Sequence, residues 1–82
     1  MIDAATHDRI FRILSDLSVV PPEQIKVDDR LREDLGLDSV SSMELVSMLS
    51  EEFNLDIELE EAVQITTVAA LLSLADKRIP NA

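Results

Sequence analysis

In three segments of this 82-residue chain, apolar side chains recur at spacings of three and four residues. This is the period of an α-helix, so each segment would present one apolar stripe along its side. In the first segment Asp3 is a suitable N-cap, and Pro21 with Pro22 stops the pattern. The stripe of that segment consists of Thr6, Ile10, Ile13, Leu14 and Leu17. Helical stripes that account for most of the apolar side chains predict an all-α fold.

The second helix is predicted over residues 39–53, and its two faces differ in chemistry. The core face is expected to hold Leu45, Val46, Leu49 and Phe53, and the opposite face Val40, Glu44, Ser47, Met48 and Glu51. Residues 59–63 are predicted to form a short helical turn. Thr66 or Thr67 then caps a last helix, whose buried stripe is Val68, Leu71, Leu72, Ala75 and Ile79.

Residues 19–37 have no sustained period, and they form a long connection for so small a chain. We expect this loop to be ordered and pinned to the core by Ile25, Val27, Leu31, Leu35 and Leu37. The only glycine, Gly36, lies near the end of the loop and is expected to supply a backbone shape that a Cβ would resist. The prediction is a single domain, residues 1–82, folded as a small four-helix bundle of three longer helices and one short helix.

Composition excludes several classes of function. The chain has no cysteine, so disulfides, thiolate metal sites and cysteine nucleophiles are ruled out. Seven Lys and Arg against 17 Asp and Glu give a net charge of −10, which repels nucleic-acid phosphates and anionic lipids. No apolar run approaches membrane-spanning length, and no basic segment with a following apolar stretch marks a signal peptide. We therefore expect a soluble, cytoplasmic, monomeric protein that binds no nucleic acid and does not insert into membranes.

The segment with the most chemical information is residues 34–40, where a glycine turn delivers Asp38 and Ser39 to the start of the second helix. Unpaired amides and the helix dipole at such a position would stabilise a phosphate ester on Ser39. On spacing alone, a plain N-cap is the alternative explanation of Ser39. A catalytic serine is not indicated, because His7 is the only imidazole and no glycine-flanked serine elbow is present.

Residues 33–40 read Glu-Asp-Leu-Gly-Leu-Asp-Ser-Val, which resembles the attachment motif of acyl carrier proteins, Asp/Glu-Asp-Leu-Gly-x-Asp-Ser-Leu. The similarity covers almost all of the second half of the chain. It continues through Glu44-Leu45-Val46, Glu51-Glu52-Phe53, Ile57, Glu60-Glu61-Ala62 and Ile65-Thr66-Thr67-Val68.

This resemblance implies a carrier that is not an enzyme. Ser39 would be modified with 4′-phosphopantetheine by a phosphopantetheinyl transferase, and the thiol of that arm would hold acyl groups as thioesters. Asp38 would contact the transferase and its magnesium. Val40, Glu44, Met48 and Glu51 would form the recognition face for acyl-loading, condensing and modifying enzymes with basic docking patches.

The resemblance also implies that an acyl chain can enter the core between the helices, among Met43, Leu45, Val46, Leu49, Ile57, Ile65 and Leu71. The alternative is that these side chains simply form the core. No resident metal is expected, because the acidic residues 56–61 lack the spacing of a calcium loop.

The sequence departs from common fatty-acid carriers on the recognition helix. Val40 replaces the usual leucine, Ser41 and Ser50 stand where acids are frequent, and Ser47 stands where an apolar residue is frequent. The pathway therefore stays open among fatty-acid, polyketide and related lipid biosynthesis. Two other interpretations remain: a helical interaction module that is never modified, and a peptidyl or aminoacyl carrier of a nonribosomal pathway.

Overall fold

The predicted order of helices is present in the computed structural model, which describes residues 3–79. The helices are α1 (Ala4–Ser18), α2 (Ser39–Phe53), α3 (Leu59–Ala62) and α4 (Val68–Arg78). A 3₁₀ turn, Pro22–Gln24, lies in the loop between α1 and α2. This confirms the all-α prediction of three longer helices and one short helix. Residues 1–2 and 80–82 of the predicted domain lie outside the described part of the chain.

Side-chain caps begin the three longer helices, and each satisfies a backbone amide that has no partner within its helix. The caps are Asp3, Asp38 and Thr67, so the cap of α4 is Thr67 and not Thr66. The three hydrogen bonds run from Thr6 N–H to Asp3 Oδ1 (2.8 Å), from Ser41 N–H to Asp38 Oδ1 (2.8 Å), and from Ala70 N–H to Thr67 Oγ1 (3.1 Å).

The core joins most of the predicted stripes of α1, α2 and α4 with side chains from the long loop, while Val46 of the predicted α2 core face is only half-buried. The largest fully buried side chains are Ile10, Leu14, Leu37, Leu45, Leu49, Val68 and Leu71. Because most of these are aliphatic residues at helical spacing, burial of apolar surface accounts for the assembly of the helices.

The loop before α2 is held by both side chains and backbone. Ile25, Leu31, Leu35 and Leu37 are buried as predicted. The prediction for Val27 is wrong, since its side chain is 47% exposed. Here the backbone makes the attachment instead: the carbonyl of Val27 accepts a 2.9 Å hydrogen bond from an amide of the first turn of α4.

Two further backbone bonds tie this loop to the start of α4. Leu31 N–H donates to the Thr66 carbonyl at 2.9 Å, and Val68 N–H donates to the Asp29 carbonyl at 3.0 Å. Between them Arg30 and Thr67 form an isolated antiparallel bridge. The loop is thus an ordered layer, as the buried leucines predicted.

Gly36 turns the chain toward α2 with a φ of +73°, a conformation that side chains with a Cβ rarely adopt. No heavy atom lies within 4 Å of the position a Cβ would take, so the backbone angle and not crowding accounts for the glycine. After the turn, Leu37 N–H donates to the Leu31 carbonyl at 2.8 Å, which closes the loop just before Asp38.

Two methionines of α2 lie differently from their predicted positions. Met43, predicted to belong to the core, is 51% exposed and lines a groove between α2 and α3. Met48, predicted to be an exposed centre of the outer face, is half-buried and packs against the core. The reason is that α1 packs against the Met48 side of α2, whereas the four-residue α3 covers the Met43 side only partly.

Within residues 3–79, none of the helices has the length and apolar character needed to span a membrane.

Candidate functional site

Ser39 is the first residue of α2, and its side chain is exposed. The preceding residue fixes it there, because Asp38 caps the helix through its own carboxylate. The alternative explanation of Ser39 as a plain N-cap is therefore wrong. The Ser39 hydroxyl is not needed to hold the helix end, and it is available for other chemistry.

Arg32 lies beside this hydroxyl and was missed in the sequence. Its Nη2 donates a hydrogen bond to Ser39 Oγ at 3.3 Å. The two residues are seven positions apart in a segment with no regular period, so no helical or strand spacing links them. The one signal that could have found Arg32 is a positive charge close to the Asp-Ser pair in a chain of net charge −10.

A second arginine near the site is already engaged. Arg30 Nε lies 3.2 Å from Asp34 Oδ2, and the backbone amide of Arg30 donates to the same oxygen at 2.7 Å. These two hydrogen bonds, led by the backbone one, lower the pKa of Asp34. The ionised Asp34 therefore holds Arg30 within the loop, and Arg32 is the arginine that meets Ser39.

The pKa of Asp38 is also lowered, chiefly by the hydrogen bond from the Ser41 backbone amide. Asp38 is thus ionised at neutral pH. Ser39 therefore directly follows an ionised carboxylate in the chain, and its hydroxyl accepts a hydrogen bond from the Arg32 guanidinium. Such a site can hold a small anionic group attached to the hydroxyl and can also contact a cation or a basic partner.

A groove of about 640 Å³ opens next to Ser39 between the long loop and α3. Its floor and walls mix apolar side chains with hydroxyl and arginine side chains. The lining residues are Arg30, Leu31, Arg32, Glu33, Leu37, Ser39, Ser42, Met43, Ala62, Val63, Ile65, Thr66 and Thr67. A flexible chain that begins at Ser39 would have an apolar surface to lie against.

The predicted recognition residues of α2 do not all lie on one exposed face. Val40 is 67% exposed, and Glu44 and Glu51 are exposed, whereas Met48 is half-buried. Met48 and Glu51 border a shallow groove whose other side belongs to α1 and includes two arginines, Arg9 and Arg12. Arg9 forms a 2.7 Å ion pair with Glu52 and lies 4.7 Å from the centroid of the Phe53 ring.

The acidic residues after α2 take part in packing. The Arg78 guanidinium at the end of α4 pairs with the Glu61 carboxylate and donates to the Asp56 carbonyl at 2.9 Å. Among residues 3–79, no group of three or more His, Asp or Glu side chains is placed to hold a metal ion. His7 stacks on Phe11 within α1, at 4.3 Å between ring centroids.

The sequence and the fold of the chain are both similar to those of known proteins. The family model described as "Phosphopantetheine attachment site" matches residues 8–75, a span that includes Ser39 and Arg32. The chain is 35% identical over 67 residues to an acyl carrier protein of Rickettsia bellii, covering 82% of this chain and 78% of that protein. It is 42% identical over 64 residues to an acyl carrier protein of Wolinella succinogenes, covering 78% of this chain and 84% of that protein.

Among solved structures, the fold is similar to the apo doublet acyl carrier protein from prodigiosin biosynthesis, with a TM-score of 0.75. The alignment covers 92% of this chain but only 37% of that doublet, at 24% identity. At this level of identity the likeness concerns the fold alone.

Proposed function

The chain belongs to the acyl carrier protein family, and from this premise we propose that Ser39 is the residue that bears its 4′-phosphopantetheine arm. Membership makes the chain a carrier and not a catalyst, with phosphopantetheine as its cofactor. The observation that carries the assignment to Ser39 is the exposed hydroxyl at the first residue of α2, freed from capping by Asp38.

The residues around Ser39 fit such an arm. Attachment through a phosphodiester needs an accessible hydroxyl, a counter-charge for the phosphate and space for a chain. Ser39 is exposed, Arg32 is in hydrogen-bond contact with its Oγ, and the adjoining groove measures about 640 Å³. When bound, the cofactor supplies the thiol on which acyl groups are held, which this cysteine-free chain lacks.

Among the described residues, Ser39 Oγ is in hydrogen-bond contact with the Arg32 guanidinium, and neither Glu33 nor Asp38 accepts a hydrogen bond from it. Loading therefore requires a transferase whose own general base accepts the proton of the Ser39 hydroxyl. In that reaction Ser39 Oγ forms the new O–P bond with the pantetheine phosphate of coenzyme A. The bond from that phosphorus to the bridging oxygen of the nucleotide portion breaks, the nucleotide leaves with that oxygen and its electron pair, and a base of the transferase takes the hydroxyl proton. Asp38, ionised next to Ser39, is suited to contact the transferase or its magnesium.

The recognition face is proposed to comprise Asp38, Val40, Glu44, Met48 and Glu51. Its exposed carboxylates favour partners with Lys and Arg patches, and they act mainly on encounter and orientation. Val40 supplies the exposed apolar centre, while the half-buried Met48 contributes only its accessible edge. These partners are the transferase and the acyl-loading, condensing and modifying enzymes of the pathway.

The cargo is proposed to be an acyl thioester of fatty-acid, polyketide or related lipid biosynthesis. The strong acidity of the chain, with a net charge of −10, supports acyl over peptidyl cargo. The apolar part of the groove, around Met43, Val63 and Ile65, supports an arm or acyl chain that rests on the protein surface.

We further propose that the chain is a monomer, because like-charge repulsion between two chains of charge −10 opposes self-association. We also propose that it is cytoplasmic. Light scattering of the purified chain tests the monomer, and fractionation of the source cells tests the location. A stable dimer at moderate salt would contradict the first part of this proposal.

Incubation with coenzyme A and a broad-specificity phosphopantetheinyl transferase, followed by intact mass measurement, tests Ser39 directly. The parent should gain the mass of one phosphopantetheine. Ser39→Ala should gain nothing, and Ser42→Ala, which removes a hydroxyl from the same groove, should load like the parent. Loading of the parent should slow as salt rises, and less so in Glu44→Gln, if the acidic face guides docking.

Loading of Ser39→Ala would place the arm elsewhere and overturn the assignment. No gain in the parent, with the source organism's own transferases active on a control carrier, would favour the unmodified interaction module instead.

A further inference from the structure

We propose that Arg32 is a positioning residue that binds the phosphodiester at the root of the arm and restrains the direction in which the arm leaves Ser39. This inference rests on the proposed attachment at Ser39. It assigns a role to a residue of the long loop that lies outside the acidic face of α2.

The geometry that supports this role is the contact between Arg32 Nη2 and Ser39 Oγ, at 3.3 Å. That oxygen becomes the bridging atom of the ester. The phosphorus is then one bond away from it, and the two non-bridging oxygens are one bond further. A guanidinium that already contacts Oγ is therefore in reach of the charged oxygens without a change in the backbone.

The chemistry of arginine suits this contact better than that of lysine. The planar guanidinium presents several N–H donors in a fork that matches two phosphate oxygens, and it stays charged at any pH the chain tolerates. Before loading, Arg32 donates to a neutral hydroxyl. After loading, the same donors meet an anion, so the contact gains charge assistance and becomes shorter and stronger.

The negative charge around Ser39 favours a positively charged partner for a phosphate attached at this position. The chain carries a net charge of −10, Asp38 is ionised next to Ser39, and Glu33 lines the same groove. A phosphodiester adds one more negative charge to this region. Arg30 also lines the groove, but its Nε is in contact with Asp34. Arg32 is thus the cation in position to offset the new charge.

This arrangement also explains why the arm would leave toward the loop and not along the outer face of α2. Arg32 lies on the groove side of Ser39, together with Leu31, Met43 and Val63. A phosphate held there starts the arm next to the apolar wall of the groove. Without Arg32, repulsion from neighbouring carboxylates would leave the root of the arm free to rotate into solvent.

The test is phosphorus NMR of the loaded protein, with intact mass first showing one arm per chain. The variants are Arg32→Gln, Arg32→Lys and, as a matched control, Arg12→Gln, which removes an exposed arginine from the shallow groove beside Met48. Spectra are recorded at low salt and at about 1 M salt, where screening shortens the Debye length to about 3 Å. Thermal melts of the unloaded variants check that each one folds.

The loaded parent and the Arg12→Gln variant should show a phosphorus resonance that shifts between low and high salt. Arg32→Gln should lose that shift and lie near the high-salt position at all salt concentrations. Arg32→Lys should restore part of the shift, since it keeps the charge but loses the fork.

An unchanged salt-dependent shift in loaded Arg32→Gln would overturn the role of Arg32 while leaving the attachment at Ser39 intact. Failure of the parent to gain an arm on Ser39 would overturn the proposed function itself, and the role of Arg32 with it. The mass measurement separates these two outcomes before any spectrum is recorded.

Discussion

The two walls of the groove beside Ser39 are built in different ways. The loop wall, residues 30–37, contributes Leu31, Leu35 and Leu37 to the core, all at most 5% exposed. Its backbone is also hydrogen-bonded to the start of α4. The α3 wall has no buried residue in its helix, Leu59–Ala62, and Val63 next to it is 68% exposed.

Because of this difference, we expect the two walls to open with different ease. Residues that are buried and hydrogen-bonded open only with much of the fold, whereas exposed segments with few apolar contacts open locally. The loop wall holds Arg32 and leads into Ser39, so it fixes the position of the proposed attachment residue. The α3 wall is tied to α4 by the Arg78 contacts and packs against the core through the half-buried Ile65, but its own helix has no buried residue, so it can yield to an arm or an acyl chain.

The largest expected effect comes from shortening a buried side chain of the loop wall. Leu37→Ala removes a side chain that is 1% exposed, and the resulting cavity should lower the free energy of unfolding by about 2–5 kcal/mol. The matched change on the other wall, Val63→Ala, should cost no more than about 0.5 kcal/mol, because Val63 is exposed. Urea unfolding of both variants measures the contrast. Equal losses would show that the two walls are equally anchored.

A smaller and local effect is expected from Arg78. Arg78→Gln removes the ion pair with Glu61 and weakens the bond to the Asp56 carbonyl. Because this pair is partly exposed, overall stability should fall by only about 0.2–1 kcal/mol. Hydrogen exchange should nevertheless quicken at the amides of Ala62 and Val63, which close the turn of α3, while amides of the α2 core stay protected.

The control for that variant is Lys77→Gln, which removes the same charge from the same last turn of α4 without touching the Glu61 contact. Exchange at α3 should be unchanged in it. If Lys77→Gln and Arg78→Gln quickened exchange to the same extent, net charge and not the specific contact would account for the stability of α3.

Much of this contrast could be predicted from the sequence, because it depends on local patterns. Helical periodicity located the three longer helices, and the buried leucines of the loop indicated an ordered segment. The motif around Ser39 indicated the family. Such signals are local: each needs only the spacing of nearby residues and the chemistry of turns and caps.

The errors all concern the relative positions of elements. A helical wheel of α2 gives one apolar direction, but it cannot say that α1 covers Met48 while the side of Met43 stays open. Val27 is held through its carbonyl, which no side-chain pattern reveals. The contact of Arg32 with Ser39 depends on the path of an aperiodic loop and on the turn at Gly36.

The smallest expected effect is a pH dependence of stability that arises from Asp34 in the loop wall and from Asp38, which directly follows it. The pKa values of Asp34 and Asp38 are lowered by backbone and side-chain hydrogen bonds in the folded chain. In the unfolded chain, aspartates have a pKa of about 3.9. A carboxyl whose pKa is lower when folded contributes stability above the unfolded value. That contribution is lost as the pH falls through the folded value. Above about pH 5 it should be constant.

Asp38→Asn sharpens this test because asparagine is also a good N-cap but does not titrate. At pH 7 its melting temperature should be close to that of the parent, and the decline below about pH 4 should be shallower. Removing an acid also relieves repulsion in a chain of charge −10, so Asp28→Asn, an exposed loop aspartate, is the matched control. If both variants flatten the acid decline equally, relief of repulsion accounts for it. If only Asp38→Asn does, weakening of the cap when the Asp38 carboxylate is protonated accounts for it.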